Sequence, residues 1–493
     1  TIPDSLDGIF EMLKEAAGTM QQGGGIGYDF STIRPRGAPV EGVGADASGP
    51  LSFMDVWDSM CRTIMSAGNR RGAMMATMRC DHPDIEDFVA AKGDAARLRM
   101  FNLSVLATDA FMEAVRADED WDRLFEGRVY RTVRARDLWD RIMRATYDYA
   151  EPGVIFIDRV NRANNLWYAE EIAATNPCGE QPLPPYGACL LGSVNLAALV
   201  REPFSEGAHV DEGELADLVA TAVRMMDNVV DVSRFPLAQQ AEEARAKRRI
   251  GLGVTGLADA LIMCRLRYGS AEAVERTGRW LEAVKLAAYR ASVDLAAEKG
   301  PFPLFDTGKY LEGETIRALP RDIRDAIAEN GIRNALLTSI APTGTISLFA
   351  GNLSSGIEPV FATSYRRKVT LRNGSKAEET VEDHAVARYR RLFGAEAALP
   401  DYVVDAQRLR PEDHVAMQAE AQKHIDSAIS KTINCPADIP FEAFKDVYFQ
   451  AFDTGCKGCT TYRPNEVTGS VLSVEEGAGQ GGDVVWLSDP LER

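Results

Sequence analysis

The chain has 493 residues, of which 45% are hydrophobic and 26% charged, as in ordinary globular proteins. Its formal charge of −18 argues against binding nucleic acid or an anionic membrane through a broad basic surface. No apolar run reaches membrane-spanning length, and the N-terminus lacks the pattern of a signal peptide. We therefore expect a cytoplasmic protein whose eight cysteines are catalytic, redox-active or metal-binding rather than a disulfide scaffold.

Strand, loop and helix patterns alternate along the chain. The patterns predict helices over residues 4–20, 50–64, 85–92, 109–118, 138–150, 212–230 and 271–299, and strands over residues 101–105, 154–157, 248–257 and 336–340. This order indicates an α/β protein with mostly parallel strands. Residues 465–493 are rich in glycine and acidic side chains, so we interpret them as a linker or tail that follows a unit of residues 1–464.

The segment NPCGE, residues 176–180, concentrates chemically useful groups. On an extended backbone, the side chains of Asn176, Cys178 and Glu180 would point to one side of a strand. Pro177 and Gly179 make poor strand interior, and they favour a finger loop that approaches a ligand closely. The alternative for Cys178 is that it is a buried core cysteine.

Two further loops could contact a ligand. Residues 23–27 contain four glycines and form either a flexible turn or the wall of a binding site. Residues 341–347 follow an apolar strand and combine a Pro/Gly turn with three hydroxyl side chains. Such a turn offers backbone N–H groups and hydroxyl donors to an anion, although it can also be a plain hydroxyl-rich turn.

Together, these motifs resemble the catalytic subunit of ribonucleotide reductases, and most closely the adenosylcobalamin-dependent class II enzymes. The resemblance runs in family order from residue 1 to about residue 465 and is carried by residues 176–180, Cys189 within residues 186–196, and residues 248–253, 341–345 and 457–465. It implies a ten-stranded α/β barrel with the catalytic cysteine on an internal finger loop.

The resemblance also implies roles for four side chains. Cys178, as a transient thiyl radical, would remove the 3′ hydrogen of the ribose, Glu180 would take the 3′-hydroxyl proton, and Asn176 would hold the ribose. Cys189 would be one member of a cysteine pair that supplies two electrons by forming a disulfide. Because residues 1–60 contain no cysteine, we expect the partner of Cys189 upstream of Thr1.

Substrate and effector contacts follow from the same resemblance. The implied substrate-contacting residues are Gly24, Gly25, Pro177, Gly179, Pro342, Thr343, Gly344, Thr345, Ile346 and Ser347, with the last six holding the phosphates. Residues 70–83, including Arg71, Gly72 and Arg79, resemble the loop that reports the bound effector. The alternative is that this segment packs in the core, which would equally explain the presence of Met74, Met75 and Met78.

The resemblance implies adenosylcobalamin as the cofactor and, apart from its cobalt, no metal. The implied partners are a ribonucleotide, expected to be a diphosphate, deoxynucleotide or ATP effectors, a thioredoxin- or glutaredoxin-type reductant, and a second copy of the chain. Cys456 and Cys459 form a C-x-x-C motif, which we interpret as core packing, since a zinc site would need a second pair of ligands.

Two other hypotheses remain. The large subunit of a class I reductase would relay its radical through adjacent tyrosines, whereas this chain has Thr461 before Tyr462. A thiol-disulfide or nucleotide-binding protein could use Cys456 and Cys459, but this hypothesis leaves Asn176 and Glu180 unexplained.

Overall fold

The computed structural model describes residues 1–40, 44–64, 72–94, 96–370 and 376–464. The described residues form 17 α-helices: α1 Leu6–Gln21, α2 Pro50–Thr63, α3 Ile85–Ala90, α4 Asp109–Ala117, α5 Ala135–Tyr149, α6 Ile157–Arg162, α7 Glu212–Val232, α8 Ala238–Lys247, α9 Leu257–Met263, α10 Ala271–Lys299, α11 Thr307–Glu312, α12 Glu314–Arg317, α13 Arg321–Asn330, α14 Gly344–Phe349, α15 His384–Phe393, α16 Pro411–Gln422 and α17 Phe441–Asp453. Within these ranges no helix is both long and apolar enough to cross a bilayer.

The strands are mostly short. They are β1 Ile26–Asp29, β2 Pro39–Val40, β3 Ala45–Asp46, β4 Met74–Arg79, β5 Phe101–Ala107, β6 Asp120–Phe125, β7 Arg128–Arg134, β8 Gly153–Phe156, β9 Ala174–Thr175, β10 Pro182–Leu183, β11 Leu190–Asn195, β12 Val200–Arg201, β13 His209–Val210, β14 Ile250–Thr255, β15 Ser364–Thr370, β16 Lys376–Glu382, β17 Ile433–Asn434, β18 Gly458–Cys459 and β19 Thr461–Tyr462.

A five-stranded sheet in the order β1-β4-β5-β8-β18 forms the first half of the fold. Strands β1, β4, β5 and β8 are parallel, and β18 is antiparallel to β8. The first five residues of β4 are buried, as expected for a central parallel strand that is covered on both faces. The aromatic residues Trp57, Phe101 and Trp139 belong to the core around this sheet.

A second group of strands begins with β11 and β14, which pair in parallel. Residues 336–340 lie beside β14, since the N–H of Leu252 donates to the carbonyl of Leu337 at 2.8 Å. Residues 427–430 come next, and the N–H of Ile340 donates to the carbonyl of Ala428 at 3.2 Å. The described residues therefore form a mixed α/β fold, whereas no closed sheet is present among them, and the ten-stranded barrel stays a prediction.

Long amphipathic helices cover the second group. Helix α10 packs on α7, and Trp280 and Leu281 of α10 are buried in the core that also contains β14. Helix α10 begins directly after its N-cap residue, Ser270, whose hydroxyl accepts the N–H of Ala273 at 3.2 Å.

Most of the predicted elements are confirmed, but several were missed. Helices predicted over 4–20 and 271–299 correspond to α1 and α10. Strand β4 was instead interpreted as part of a loop, and the β6–β7 hairpin was not predicted. In the strand predicted over 336–340, the backbone pairs through isolated bridges at Thr338 and Ile340. Residues 465–493 lie outside the described residues.

Candidate active site

Residues 176–181 form the turn of a short hairpin between β9 and β10. The N–H of Gly179 donates to the carbonyl of Asn176 at 3.0 Å, and the N–H of Asn176 donates to the carbonyl of Gln181 at 3.1 Å. Gly179 has a positive φ of 83°, a conformation that glycine adopts without strain. The segment is therefore a turn and not an extended strand, and its close approach to a ligand stays a prediction.

One side of the finger lies against the first sheet. A Cβ on Gly27 of β1 would overlap the carbonyl oxygen of Thr175, and a Cβ on Gly25 would lie 3.0 Å from the ring of Pro177. The Asn102 amide of β5 also donates to the carbonyl of Pro177 at 2.8 Å. The glycines before and within β1 thus allow the finger to approach the sheet closely.

The other side of the finger is bonded to the second group of strands. The carbonyl of Glu180 accepts the Ser339 hydroxyl at 2.9 Å and the N–H of Ala428 at 3.0 Å. A Cβ on Gly253 of β14 would overlap the carbonyl oxygen of Ser339, so these backbones are also in close contact. The finger therefore connects the two groups of strands and holds its functional side chains between them.

The three polar groups of the finger have different environments. The Cys178 thiol is exposed, whereas Glu180 is only 2% exposed. Burial raises the pKa of Glu180, and a hydrogen bond from the Asn176 side chain opposes part of this rise. Among the described residues, Glu180 Oε2 has no hydrogen-bond partner. The turn thus carries an exposed cysteine two residues before a buried acid whose pKa is raised.

Cys189 lies just before β11, where it meets β14. Its Sγ would be 3.1 Å from a Cβ built on Gly251. Burial raises the pKa of Cys189 to about 12, and the Glu180 carboxylate adds to the rise while the buried Arg249 guanidinium opposes it. The Cys189 thiol is therefore protonated at neutral pH and can act as a hydrogen donor.

The loop predicted to hold phosphate begins three residues after Ser339. Thr343 adopts a left-handed conformation with φ 56° and ψ 16°, which is strained for a β-branched residue. Its hydroxyl is bonded to that of Thr255 at 2.9 Å and accepts the N–H of Gly356 at 2.7 Å. The Ser347 hydroxyl is also bonded internally. Two of the three hydroxyls therefore shape the loop, and residues 344–346 form its exposed part.

Of the residues assigned to the effector loop, Gly72 and Arg79 are described, and they lie before β4 and at its end. Arg71 lies outside the described residues. Gly72 packs against α2, because a Cβ there would lie 2.6 Å from the Cys61 sulfur. Arg79 ends β4 and forms an ion pair with Asp81. The three methionines of this segment are buried, as the packing interpretation expects.

The C-x-x-C motif lies in the core. Cys456 and Cys459 are buried, and burial raises both thiol pKa values. The core-packing interpretation of this motif is therefore correct.

The sequence interpretation missed Asn102, Ser339 and Gln181, which contact or belong to the finger. Glycines at alternate positions could have indicated these contacts, because two such glycines leave one face of an extended segment open to another group. The pairs are Gly25 with Gly27 and Gly251 with Gly253.

A family model described as the ribonucleotide reductase barrel domain matches residues 1–462. The chain belongs to this family. A vitamin B12-dependent ribonucleoside-diphosphate reductase of Mycobacterium tuberculosis (strain CDC 1551 / Oshkosh) is 40% identical over 96% of this chain and 68% of its own length. A Thermoplasma acidophilum protein of the same name is 37% identical over 96% of this chain and 61% of its own length. The ribonucleoside-diphosphate reductase subunit alpha of Chlamydia muridarum is 29% identical over 73% of this chain and 40% of its own length.

The chain spans about two thirds of the length of these B12-dependent members of the ribonucleotide reductase family. The family assignment made from the motifs is thus confirmed.

Proposed function

We propose that this chain is the catalytic part of a class II ribonucleotide reductase, which converts ribonucleoside diphosphates to 2′-deoxyribonucleotides. The finger carries the proposal, because it joins the exposed Cys178 thiol, the Asn176 amide and the buried Glu180 carboxyl on one short turn. The names of the Mycobacterium and Thermoplasma relatives support dependence on vitamin B12 and a diphosphate substrate.

In the proposed reaction, the Cys178 thiyl radical takes the hydrogen atom from the 3′ carbon of the ribose. Glu180 as carboxylate accepts the 3′-hydroxyl proton, and its raised pKa makes it a stronger base than an exposed glutamate. Asn176 orients the ribose while the 2′-hydroxyl leaves as water. Cys189 and a second thiol then give two electrons and two protons, which complete the water and the 2′ C–H bond, and become a disulfide. Finally, Glu180 returns its proton to the 3′ oxygen and Cys178 returns the hydrogen atom to the 3′ carbon.

The exposure of Cys178 fits a radical source that approaches the thiol from outside the chain. Adenosylcobalamin, when bound, supplies a radical able to remove the hydrogen atom of a thiol. The contribution of the chain is to hold this thiol at the tip of the finger, where the bond from Asn102 to the Pro177 carbonyl fixes the preceding residue.

The class I alternative is less well supported. The proposed radical relay of class I needs adjacent tyrosines, and the residue before Tyr462 is a threonine. Thr461 is buried, and its hydroxyl is bonded to that of Tyr448 at 2.9 Å.

Substrate contacts are proposed on two loops. The exposed residues 344–346, together with Pro342, Thr343 and Ser347, would hold the phosphates. Gly24, Gly25, Pro177 and Gly179 would contact the nucleoside, a proposal supported by the close packing of Gly25 on Pro177. Effectors would bind near Arg71, Gly72 and Arg79, the last of which forms an ion pair with Asp81.

The remaining features of the proposal concern architecture and partners. The two groups of strands, joined by the finger, would be parts of a ten-stranded barrel in a catalytic unit of residues 1–464. The proposed partner of the full-length protein is a thioredoxin- or glutaredoxin-type reductant, and the proposed location is the cytoplasm. A homodimer is supported by the exposed apolar side chains of Leu6 and Phe10 on α1.

The test is to incubate the protein with adenosylcobalamin, a ribonucleoside diphosphate and a dithiol, and to separate the products by chromatography. We expect cofactor-dependent conversion of the ribonucleotide, either to the deoxynucleotide or, where the disulfide cannot form, to free base. Conversion that instead requires an added iron- or manganese-containing subunit would assign the chain to class I. No conversion under either condition would refute the proposal.

A further inference from the structure

Gln181 is a buried side chain whose amide finds no partner among the described residues. The residue follows Glu180 in the finger and is 2% exposed. Within the described part of the chain, neither its Oε1 nor its Nε2 has a hydrogen-bond partner. A carboxamide offers one acceptor and two donors, and native proteins rarely leave such a group both buried and unbonded. A ligand that both donates and accepts a hydrogen bond would complete it.

The amide lies beside the thiol proposed to reduce the substrate. A Cβ on Gly251 of β14 would be 2.5 Å from Gln181 Nε2 and 3.1 Å from Cys189 Sγ, so both groups border the same point. The finger also contains Glu180 Oε2, which is likewise buried and lacks a partner among the described residues. The amide and the thiol thus lie together where the finger meets the second group of strands, and the residue before Gln181 carries the partnerless carboxylate oxygen.

We propose that the Gln181 carboxamide hydrogen-bonds the 2′-hydroxyl of the bound ribonucleotide, on the side of the sugar that faces Cys189. The inference rests on the proposed function and adds a substrate-binding residue to it. A hydroxyl both donates and accepts, so it matches a carboxamide that has both kinds of group unused. The amide is neutral and transfers no proton, and its role is to orient the 2′-oxygen for departure beside the Cys189 thiol.

The 2′-hydroxyl itself provides the test, because a deoxynucleotide lacks it. Titration calorimetry without adenosylcobalamin would compare binding of cytidine diphosphate and 2′-deoxycytidine diphosphate to the wild-type chain and to Gln181→Met. We expect the wild-type chain to prefer the ribonucleotide by roughly three- to tenfold, as for the loss of one neutral hydrogen bond. Gln181→Met, which retains the length of the side chain, should lower this ratio to about one with little change in deoxynucleotide affinity.

Two further variants complete the experiment. Gln418→Met removes another buried amide, one that donates to the carbonyl of Gly458 at 3.0 Å, and it should keep the wild-type ratio. Gly251→Ala adds a methyl group that would lie 2.5 Å from the Gln181 amide, 2.8 Å from Leu191 and 3.1 Å from Cys189 Sγ. The amide is the nearest of these groups, so the variant should lower the ratio even if Gln181→Met does not fold.

The possible outcomes separate the two proposals. If Gln181→Met kept the wild-type ratio of ribonucleotide to deoxynucleotide affinity, the role of Gln181 would be overturned and its amide assigned to water. The same holds for Gly251→Ala if only that variant folds. An equal loss in Gln418→Met would also overturn it. A wild-type chain that binds neither nucleotide would refute the proposed function, and the inference about Gln181 with it.

Discussion

Gly27→Ala tests whether the finger must lie tightly against the first sheet. The added methyl group would overlap the carbonyl oxygen of Thr175, which is backbone and cannot rotate away. An ordinary C···O contact needs about 3.3 Å, so β9 must move away from β1 by roughly 1 Å or more. The Thr77 hydroxyl, bonded to the carbonyl of Ala173 at 2.7 Å, holds β9 to β4 and resists this movement.

Two effects of Gly27→Ala can be measured. Overpacking at such a site costs about 1–3 kcal/mol, so the midpoint of urea unfolding should fall. Displacement of the catalytic groups by about 1 Å can lower the rate about 100-fold. The matched control is Gly18→Ala in α1, where a Cβ meets nothing within 4 Å, and this variant should gain up to about 1 kcal/mol.

The assay combines urea unfolding, alkylation of the exposed Cys178 and ribonucleotide conversion. If Gly27→Ala retained wild-type stability, alkylation rate and turnover, the close contact between β1 and the finger would not be required. If Gly18→Ala lost as much stability as Gly27→Ala, the loss would come from adding a methyl group in general and not from the contact with the finger.

The remaining predictions concern the reacting side chains. Cys178→Ser should abolish all conversion, because a serine O–H bond is too strong for reversible radical formation, and any product would contradict the assigned role. Cys189→Ser in the intact enzyme should still consume the nucleotide but release free base, detected by chromatography; normal yields of deoxynucleotide would refute it. Burial raises the pKa of Glu180, so the folded state favours the neutral acid and ionisation opposes folding. The stability that the neutral acid contributes is lost as pH rises through the raised pKa. Glu180→Gln should therefore gain stability relative to the wild type as pH rises above about 4, the ordinary pKa of a glutamate in an unfolded chain, and a pH-independent difference in urea midpoints would contradict this.

Local features of the sequence determined the long helices and the finger. Helices α1 and α10 were predictable because their apolar residues repeat with the helical period and hydroxyl residues, Ser5 and Ser270, cap their first turns. The finger was predictable because Pro177 and Gly179 disfavour a strand on both sides of Cys178. The order of the motifs along the chain was enough to predict the family, since that information does not depend on distances in space.

Only the tertiary structure decided how these parts meet. Strand β4 has no alternating pattern because neighbouring elements cover both of its faces, so its period could not separate it from a loop. The exposure of Cys178 and the burial of Glu180, two residues apart, depend on where two distant groups of strands touch the finger. The same holds for Thr343, whose hydroxyl shapes the loop through Thr255, 88 residues away in the chain. These properties arise from long-range contacts, which residue types and their spacing do not specify.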